Sequence, residues 1–255
     1  MNKANTCHLL LMRHGETEDN VRQIMQGQTE GLLTERGREQ ALQVANRLAS
    51  EPVDVVVCSD LRRARQTAEI IAMPRQLPVF TTPLLRERDW GSFTQCFIPA
   101  LKGVTWPDDI ETEEALFVRA RSFIIYITAT FPGKRIVAVG HGIINKAILA
   151  VVANCEMSQV QRMMNAEVRR LTLTAETLAA AASSAAAVRT PGTAASATDA
   201  ARAATAAAAR ASNAAVSATD AAARAADAAA RAAMGAAADA AARTAESAAV
   251  MPSAE

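Results

Sequence analysis

The 255-residue sequence is poor in aromatic side chains, which make up 4% of it, and these few are unevenly placed. All six Phe, both Trp and the one Tyr lie at or before Phe131. The large apolar side chains are therefore concentrated in the first part of the chain. We predict one domain with a substantial core over residues 1–178 and a segment of different character over residues 179–255.

Cysteine is scarce and long apolar runs are absent. The four cysteines form no Cys-x-x-Cys pair, which argues against a disulfide or zinc framework and for a reducing compartment; they are Cys7, Cys58, Cys96 and Cys155. The apolar stretch from Leu9 to Met12 runs directly into Arg13 and is too short for a signal peptide. No apolar run is long enough to cross a bilayer. We expect a cytoplasmic protein with no membrane partner.

An excess of charge of one sign is also lacking. The chain has 27 Lys and Arg against 26 Asp and Glu, a formal net charge of +1. This balance excludes a bulk polybasic nucleic-acid binder, because such proteins need many cationic contacts to phosphate. A small pocket lined with cations is still compatible with it.

Alanine dominates the C-terminal segment and makes up roughly half of the residues after Leu178. It has the highest helix propensity, and the pairs Asp220/Arg224 and Asp227/Arg231 have the i,i+4 spacing that supports a helix. Alanine buries little area, so we expect a helical or disordered tail without chemistry of its own. The alternative is that tail helices of different copies pack weakly against each other and form a homo-oligomer.

Short apolar runs alternate with helical patterns in the first 178 residues. Strands are predicted near residues 8–12, 53–58 and 135–140, and helices near 34–50, 61–72, 112–130 and 143–152, with Thr34 as an N-cap. The strand runs are continuously apolar rather than alternating, which is typical of strands covered on both faces. The pattern predicts a three-layer α/β/α fold with a mostly parallel central sheet, followed by the tail.

Polar residues follow each of the three predicted strands. Arg13 and His14 end the first strand, Arg63 follows the second, and His141 follows the third. The carboxyl ends of parallel strands open on one edge of a sheet, where ligands bind. Arginine and histidine donors converging on one cleft suit a phosphoryl group, which has several anionic oxygens.

These residues belong to a pattern that resembles a known family. The segment Leu-Met-Arg-His-Gly-Glu-Thr at 11–17 is similar to the signature of the histidine phosphatase superfamily, the phosphoglycerate-mutase-like proteins. Further similar blocks follow in the family's order at 26–27, 33–41, 59–68, 85–91 and 139–142, so that the resemblance covers about residues 8–174. Several ordered blocks are far more specific than a lone Arg-His-Gly.

The resemblance implies a catalytic role for five residues. His14 would attack phosphorus as a neutral imidazole, and the neighbouring guanidinium groups would disfavour its cationic form. Glu87 would protonate the leaving oxygen and then activate water. Arg13, Arg63 and His141 would bind the phosphoryl oxygens and stabilise the transition state.

The resemblance also implies the ligands of the site. Asn20, Gln26, Gly27 and Gly142 would contact the phosphate or the rest of the substrate. No metal ion and no other cofactor is implied, because arginines supply the positive charge that magnesium supplies elsewhere. The expected partner is a small-molecule phosphate ester.

The spacing within the matched blocks favours one branch of the family. About 54 positions separate Glu87 from His141, whereas mutases of the family carry a longer insertion there. A mutase must keep water from the phosphohistidine, so the short segment predicts an open pocket and net hydrolysis. The resemblance therefore implies a histidine acid-type phosphatase, a metal-independent phosphomonoesterase for a small phosphorylated metabolite. We expect Phe97, Leu101 and Trp106 in the pocket wall.

Three alternative functions stay open. They are a phosphoglycerate-mutase-type phosphotransferase, a protein phosphohydrolase, and a non-catalytic phosphate-binding module with an oligomerising tail. Glu87 also has an alternative role. Because it lies among Arg86, Arg88 and Asp89, it could belong to a surface salt-bridge cluster instead of the catalytic site.

Overall fold

The computed structural model of the chain describes residues 6–174 and residue 177. This range covers almost all of the predicted domain, residues 1–178. The predicted Ala-rich tail, residues 179–255, lies outside the described residues, and the division near residue 178 stays a prediction. Within the described part of the chain, no helix combines the length and the apolar character needed to cross a bilayer.

The described residues form one five-stranded sheet. Its strands are β1 (Cys7–Arg13), β2 (Val55–Ser59), β3 (Val79–Thr82), β4 (Arg135–Gly140) and β5 (Val168–Leu173). Their order is β3-β2-β4-β1-β5, and every neighbouring pair is parallel except β1 and β5. At the ends of the central strands Arg13 lies opposite Gly140, so the chain leaves both strands side by side. The predicted mostly parallel sheet is confirmed.

Within the described range, five α-helices connect the strands. They are α1 (Glu18–Val21), α2 (Glu35–Arg47), α3 (Arg62–Ala72), α4 (Glu113–Thr130) and α5 (Gly142–Ala153). The predicted N-cap Thr34 is confirmed, because its hydroxyl accepts a hydrogen bond from the Gly37 amide at 2.9 Å. Thr112 caps α4 in the same way, through the amide of Ala115. Each cap satisfies an amide that has no partner within its helix.

The sheet buries both of its faces under helices. Met12 and Val139 belong to an apolar core formed with α2 and α3. Their chain neighbours Leu11 and Ala138 belong to a second core, formed with α4 and α5. Successive side chains of a strand point to opposite faces, so both must be apolar when both faces are covered. The three-layer α/β/α prediction is confirmed.

The sequence analysis did not predict β3 and β5, and each lies at an edge of the sheet. β3 has only four residues, and β5 carries Arg169 and Arg170 among its apolar residues. An edge strand has one unpaired side and tolerates charge, so it needs no continuous apolar run. The position of β5 depends on its pairing with β1 and not on a pattern of its own.

A backbone contact fixes the loop that follows β1 against α2. A Cβ atom at Gly37 would lie 2.1 Å from the carbonyl oxygen of Glu16, and one at Gly15 would lie 2.3 Å from the carbonyl oxygen of Gly37. Neither distance is compatible with a side chain. The two glycines therefore allow α2 to press against the segment that follows His14.

We expect Gly37→Ala to destabilise the fold, although alanine normally stabilises a helix interior by about 1 kcal/mol relative to glycine. The added methyl group would displace the backbone at Glu16, and overpacking of this kind costs about 1–3 kcal/mol. Urea unfolding of the two proteins measures the difference. Asn46→Ala, at an exposed position of the same helix, is the control and should be neutral or slightly stabilising. A stabilised Gly37→Ala protein would contradict the close approach.

Candidate active site

The carboxyl ends of the parallel strands bring the predicted residues together. Arg13 and His14 follow one another at the end of β1, His141 follows β4, and Arg63 lies in the first turn of α3. The ring centroids of His14 and His141 are 5.0 Å apart. Sequence positions more than a hundred residues apart therefore form one site.

A cavity of about 160 Å³ opens at this edge of the sheet. Seven of the nine residues predicted for the site line it: Arg13, His14, Asn20, Gln26, Gly27, Arg63 and Glu87. The other two, His141 and Gly142, do not line it. His141 is fully buried beside His14, and Gly142 begins α5 next to the carboxylate of Glu87.

His14 is held in one orientation and one charge state. Its Nδ1 lies 2.7 Å from the carbonyl oxygen of Gly15, so in the neutral ring Nδ1 carries the proton and donates it. This leaves the lone pair on Nε2. Burial, followed by the charges of Arg63 and Arg13, lowers the pKa of His14 well below its ordinary value of 6.5. His14 is therefore a neutral imidazole at neutral pH.

His141 has the opposite tautomer. Arg63 donates from Nε to Nδ1 of His141 at 3.1 Å, so the proton of the neutral ring is on Nε2. That Nε2 atom is buried and has no hydrogen-bond partner in the described part of the chain. Burial and the charge of Arg63 hold the pKa of His141 well below 6.5. A buried donor without a partner is costly unless a ligand accepts from it.

The two buried arginines are anchored by backbone carbonyls. Arg63 donates from Nη2 to Gly27 at 2.8 Å and from Nη1 to Thr29, and it is 1% exposed. Arg13 donates from Nη1 to the carbonyl of Met163 at 2.9 Å, while its buried Nε has no partner among the described residues. Burial lowers the pKa of each to about 10, so both remain cations at neutral pH.

Glu87 is fixed by backbone amides, not by an ion pair. Its Oε1 accepts from the amide of Arg88 at 2.9 Å and from the amides of Ile143 and Ile144 in the first turn of α5 at 3.0 and 3.3 Å. A carboxylate is well placed there, because the first amides of a helix have no partner within it. Its Oε2 has one longer contact, 3.3 Å from the amide of Ile143.

The neighbours of Glu87 in sequence are engaged elsewhere. Arg86 forms a two-point ion pair with Asp60, with a shortest distance of 2.6 Å. The guanidinium of Arg88 lies over the ring of Trp90, 4.9 Å from its centroid. Among the described residues Glu87 forms no ion pair, so the salt-bridge alternative does not describe it.

Asn20 and Gln26 are held by the segment that follows β1. Asn20 Oδ1 accepts from the amide of Thr17 and from the side chain of Asn165, at 3.2 and 3.1 Å. Gln26 donates to the Thr17 hydroxyl at 2.8 Å, whereas its buried Oε1 has no partner in the described range. Gly27 has φ +52° and presents its carbonyl to Arg63. It therefore serves the site through its backbone.

The pocket wall differs from the one that the sequence predicts. Trp90 and Ile98 line the cavity, but Phe97, Leu101 and Trp106 do not. That prediction was wrong because it rests on the position of the segment in sequence, which does not determine the direction of each side chain. Trp106 packs edge-on against Trp90 instead, with ring centroids 5.6 Å apart.

Among the described residues near the cavity, Arg162 and Arg119 are charged residues that sequence reasoning missed. Arg162 lines the cavity from a loop after the short helix Met157–Gln159. Arg119, on α4, donates to the carbonyls of Leu84, Arg86 and Glu87 and pairs with Glu111 at 2.7 Å. Neither belongs to a motif or follows a predicted strand, so no local signal marks them.

The donor set of the cavity suits an anion. The described residues include no group of three or more His, Cys, Asp or Glu side chains that could hold a metal ion. The cavity instead combines guanidinium groups with a single carboxylate, that of Glu87. Fixed cationic donors of this kind match the several oxygens of a phosphoryl group.

The class of protein follows from a comparison with known families. The model of the histidine phosphatase superfamily (branch 1) matches residues 9–186. The chain belongs to this superfamily. The ordered blocks at 11–17, 59–68, 85–91 and 139–142 lie within the matched range and contain all five residues predicted to be catalytic.

Relatives of the chain include proteins named as phosphatases and as mutases. It is 30% identical over 171 residues to the uncharacterized phosphatase PhoE of Bacillus subtilis, covering 65% of this chain and 88% of that protein. It is 31% identical over 180 residues to the probable phosphoglycerate mutase GpmB of an Enterobacter species, covering 63% and 82%. A solved mycobacterial glucosyl-3-phosphoglycerate phosphatase superposes with a TM-score of 0.60 at 27% identity, covering 64% and 92%.

We expect the folded protein to lose stability as the pH falls below 6.5. His14 and His141 take up protons near pH 6.5 in the unfolded chain but stay neutral to well below it in the folded one. Between these values the unfolded state binds more protons, so the free energy of unfolding falls by up to about 1.4 kcal/mol per pH unit for each histidine. Chemical denaturation at pH 7.5, 6.5 and 5.5 measures this slope.

The matched control for this slope is the double variant His14→Asn/His141→Asn. It retains the exposed His8 and should lose the part of the pH dependence that the two buried rings cause. An equal slope in both proteins would show that neither ring is held neutral by the fold.

Arg119→Gln should lower kcat about tenfold or more while changing KM little. The substitution removes donors from the carbonyls around Glu87 and frees the segment that carries its carboxylate. If Glu87 is the acid that the resemblance implies, small displacements of its carboxyl group are costly. Steady-state kinetics on a phosphate ester, well below the melting temperature, measure kcat and KM separately. Arg170→Gln removes an arginine that pairs with Glu51 at the surface and should leave both constants unchanged. Equal kinetics of the Arg119 variant and wild type would contradict this positioning role.

Proposed function

We propose that this protein is a metal-independent phosphomonoesterase that hydrolyses a small phosphorylated metabolite through a phosphohistidine at His14. The observation that carries the proposal is the hydrogen bond from His14 Nδ1 to the Gly15 carbonyl. It leaves the Nε2 lone pair free on a neutral ring that lines a cationic cavity. Membership of the histidine phosphatase superfamily supports the same chemistry.

In the first step Nε2 of His14 forms a bond to phosphorus, and the bond from phosphorus to the ester oxygen breaks. The electron pair of that bond stays on the leaving oxygen, which takes a proton from Glu87. The imidazole ring becomes cationic as the bond forms. The Gly15 carbonyl, which accepts from Nδ1, stabilises that charge.

In the second step Glu87 accepts a proton from a water molecule. The water oxygen bonds to phosphorus, the bond from phosphorus to Nε2 breaks, and its electron pair returns to the ring. Inorganic phosphate leaves, and Glu87 has recovered its proton for the next cycle. The Oε2 atom suits both transfers, because Oε1 is occupied by three amide donors.

The transferring phosphoryl group gathers negative charge that must be stabilised. Arg13 Nε is a buried donor of the cavity lining without a partner in the described range, so an anion can accept from it without displacing another acceptor. His141 Nε2 is a second such donor; its ring lies outside the lining, 5.0 Å from the ring of His14, and would meet an anion bound against His14. Arg63 supplies a third cationic group, held by the carbonyls of Gly27 and Thr29. Fixed donors need little rearrangement as charge develops, and this supports catalysis without a metal ion.

Hydrolysis is favoured over mutase activity by the segment between Glu87 and His141. Residues 95–98 pack along the loop 23–25, through hydrogen bonds from Gln95 to Met25 and from Ile98 to Gln23. The segment thus forms a side wall of the cavity, while Phe97 and Trp106 remain exposed. A side wall of this kind is not a cover over the cavity, whereas a mutase must exclude water from its phosphohistidine.

The experiment is turnover of p-nitrophenyl phosphate in the presence of EDTA. We expect the wild type to hydrolyse it, and His14→Asn to lose activity by a factor of about 1000 or more, because no nucleophile remains. His8→Asn, at the exposed start of β1, is the control and should keep full activity. No turnover by the wild type of any phosphate ester in a metabolite and phosphopeptide panel would refute the proposal.

The mutase alternative is tested with 3-phosphoglycerate. Release of inorganic phosphate without formation of 2-phosphoglycerate supports hydrolysis. Predominant formation of 2-phosphoglycerate would instead assign the protein to the mutases. In the same assays, kcat/KM values higher for a phosphopeptide than for every small ester would favour a protein phosphohydrolase.

A further inference from the structure

Three arginines of the described residues line the cavity. The proposed phosphoryl transfer uses Arg13 and Arg63 but not Arg162. Arg162 is exposed, and it reaches the cavity from the loop between the short helix Met157–Gln159 and β5. Its guanidinium group lies next to Gly142, at the start of α5. A Cβ atom at Gly142 would lie 2.9 Å from Arg162 Nε, 3.2 Å from its Nη2 and 3.4 Å from Glu87 Oε2. Arg162 and Glu87 therefore flank the same glycine.

The donors of Arg162 are free in the described part of the chain. Arg13 and Arg63 are anchored by carbonyls of Met163, Gly27 and Thr29. Arg162, in contrast, makes no hydrogen bond and no ion pair with any residue of the described range. A guanidinium has five N–H donors in a planar fork that matches a carboxylate or a phosphate.

The charge of the cavity is also unbalanced. Three guanidinium groups, those of Arg13, Arg63 and Arg162, face one carboxylate, that of Glu87. Arg162 is close enough to Arg13 that its charge contributes to lowering the pKa of Arg13. When Glu87 holds the proton that it gives to the leaving oxygen, the three cations face only the roughly two negative charges of one phosphoryl group, so that about one positive charge is left. A second anionic group in the ligand would neutralise the remainder.

We propose that Arg162 is a specificity residue that binds a second anionic group, a carboxylate or a phosphate, on the leaving alcohol of the substrate. The inference rests on the proposed phosphatase function and names the class of substrate. Preferred substrates are small phosphate esters whose alcohol carries a negative charge within a few bonds of the ester oxygen.

The leaving alcohol, rather than the transferring phosphoryl group, is the partner of Arg162 because of the position of Glu87. The acid that protonates the leaving oxygen must lie on the leaving-group side of phosphorus, opposite to the attacking Nε2 of His14. Arg162 lies beside that acid, across Gly142. Its fork is therefore directed to the part of the substrate that departs with the leaving oxygen.

The absence of a side chain at Gly142 is part of this arrangement. Any Cβ atom there would contact both the guanidinium and the carboxylate, at 2.9 and 3.4 Å. Glycine thus allows Arg162 to approach the acid closely enough to share one small substrate. The fold keeps the space for this pair even though the two residues are 75 positions apart in the chain.

The test compares substrates that differ only in the second anion. 3-Phosphoglycerate and glycerol 1-phosphate differ by a carboxylate in place of a hydroxymethyl group, and fructose 1,6-bisphosphate and fructose 6-phosphate differ by a second phosphate. For the wild type we expect kcat/KM to be higher for the anionic member of at least one pair. The pair that shows the preference identifies carboxylate or phosphate as the group bound.

Arg162→Gln should reduce that preference at least tenfold, mainly through KM, because charge-assisted hydrogen bonds to the second anion are lost. Arg162→Lys keeps the charge without the planar guanidinium group and should retain part of the preference for the anionic substrate. Arg170→Gln, which removes the same charge at the surface away from the cavity, should leave the preference unchanged. Equal losses on both members of a pair would show that Arg162 binds the transferring phosphoryl group, and no change on either would show that it binds no substrate; each result overturns the inference.

Binding measurements separate this inference from the proposed function. Titration calorimetry of full-length His14→Asn and His14→Asn/Arg162→Gln proteins with the same four esters measures the preference without turnover. An Arg162-dependent preference in binding, together with no turnover by the wild type of any ester in the metabolite and phosphopeptide panel, would refute the phosphatase proposal and retain the role of Arg162 as an anion-binding residue. Equal affinities of the two proteins for every ester would overturn that role.

Discussion

The hydrogen bond from Arg63 Nε to His141 Nδ1 connects the parts of the site that come from different regions of the chain. Through its two terminal nitrogens Arg63 also bonds to the carbonyls of Gly27 and Thr29. One buried side chain thus joins α3, the loop before α2 and the junction between β4 and α5. It also sets the tautomer of His141, because a ring nitrogen that accepts cannot carry the proton.

Burying cations and polar rings costs free energy, and hydrogen bonds within the fold compensate for only part of that cost. Two backbone carbonyls and His141 Nδ1 accept from Arg63, and the Met163 carbonyl accepts from one nitrogen of Arg13. Arg13 Nε and His141 Nε2 remain buried without acceptors in the described range. The same burial keeps both imidazoles neutral. Buried donors without acceptors are costly, so the anion of the proposed function would also stabilise the folded protein.

Much of the fold and of the site could be predicted because the relevant signals are local. Continuous apolar runs indicate the central strands, and the residues at their ends, such as His14 and His141, follow directly from that prediction. Short edge strands lack such runs, and side chains on irregular segments have no periodicity to indicate their direction. For this reason the sequence did not reveal β3 and β5, and the prediction of Phe97, Leu101 and Trp106 as residues of the pocket wall was wrong.

The sequence by itself determined the central strands and their burial on both faces, the N-cap at Thr34 and the identity of the cationic groups at the strand ends. Each of these depends on neighbouring residues or on a fixed period. Only the tertiary structure decided which nitrogen of each imidazole is free, how Glu87 is held by amides of α5, and that Arg162 stands beside it. These features depend on distances between segments far apart in the chain. Such distances are set by the packing of whole layers and leave no mark in any short stretch of sequence.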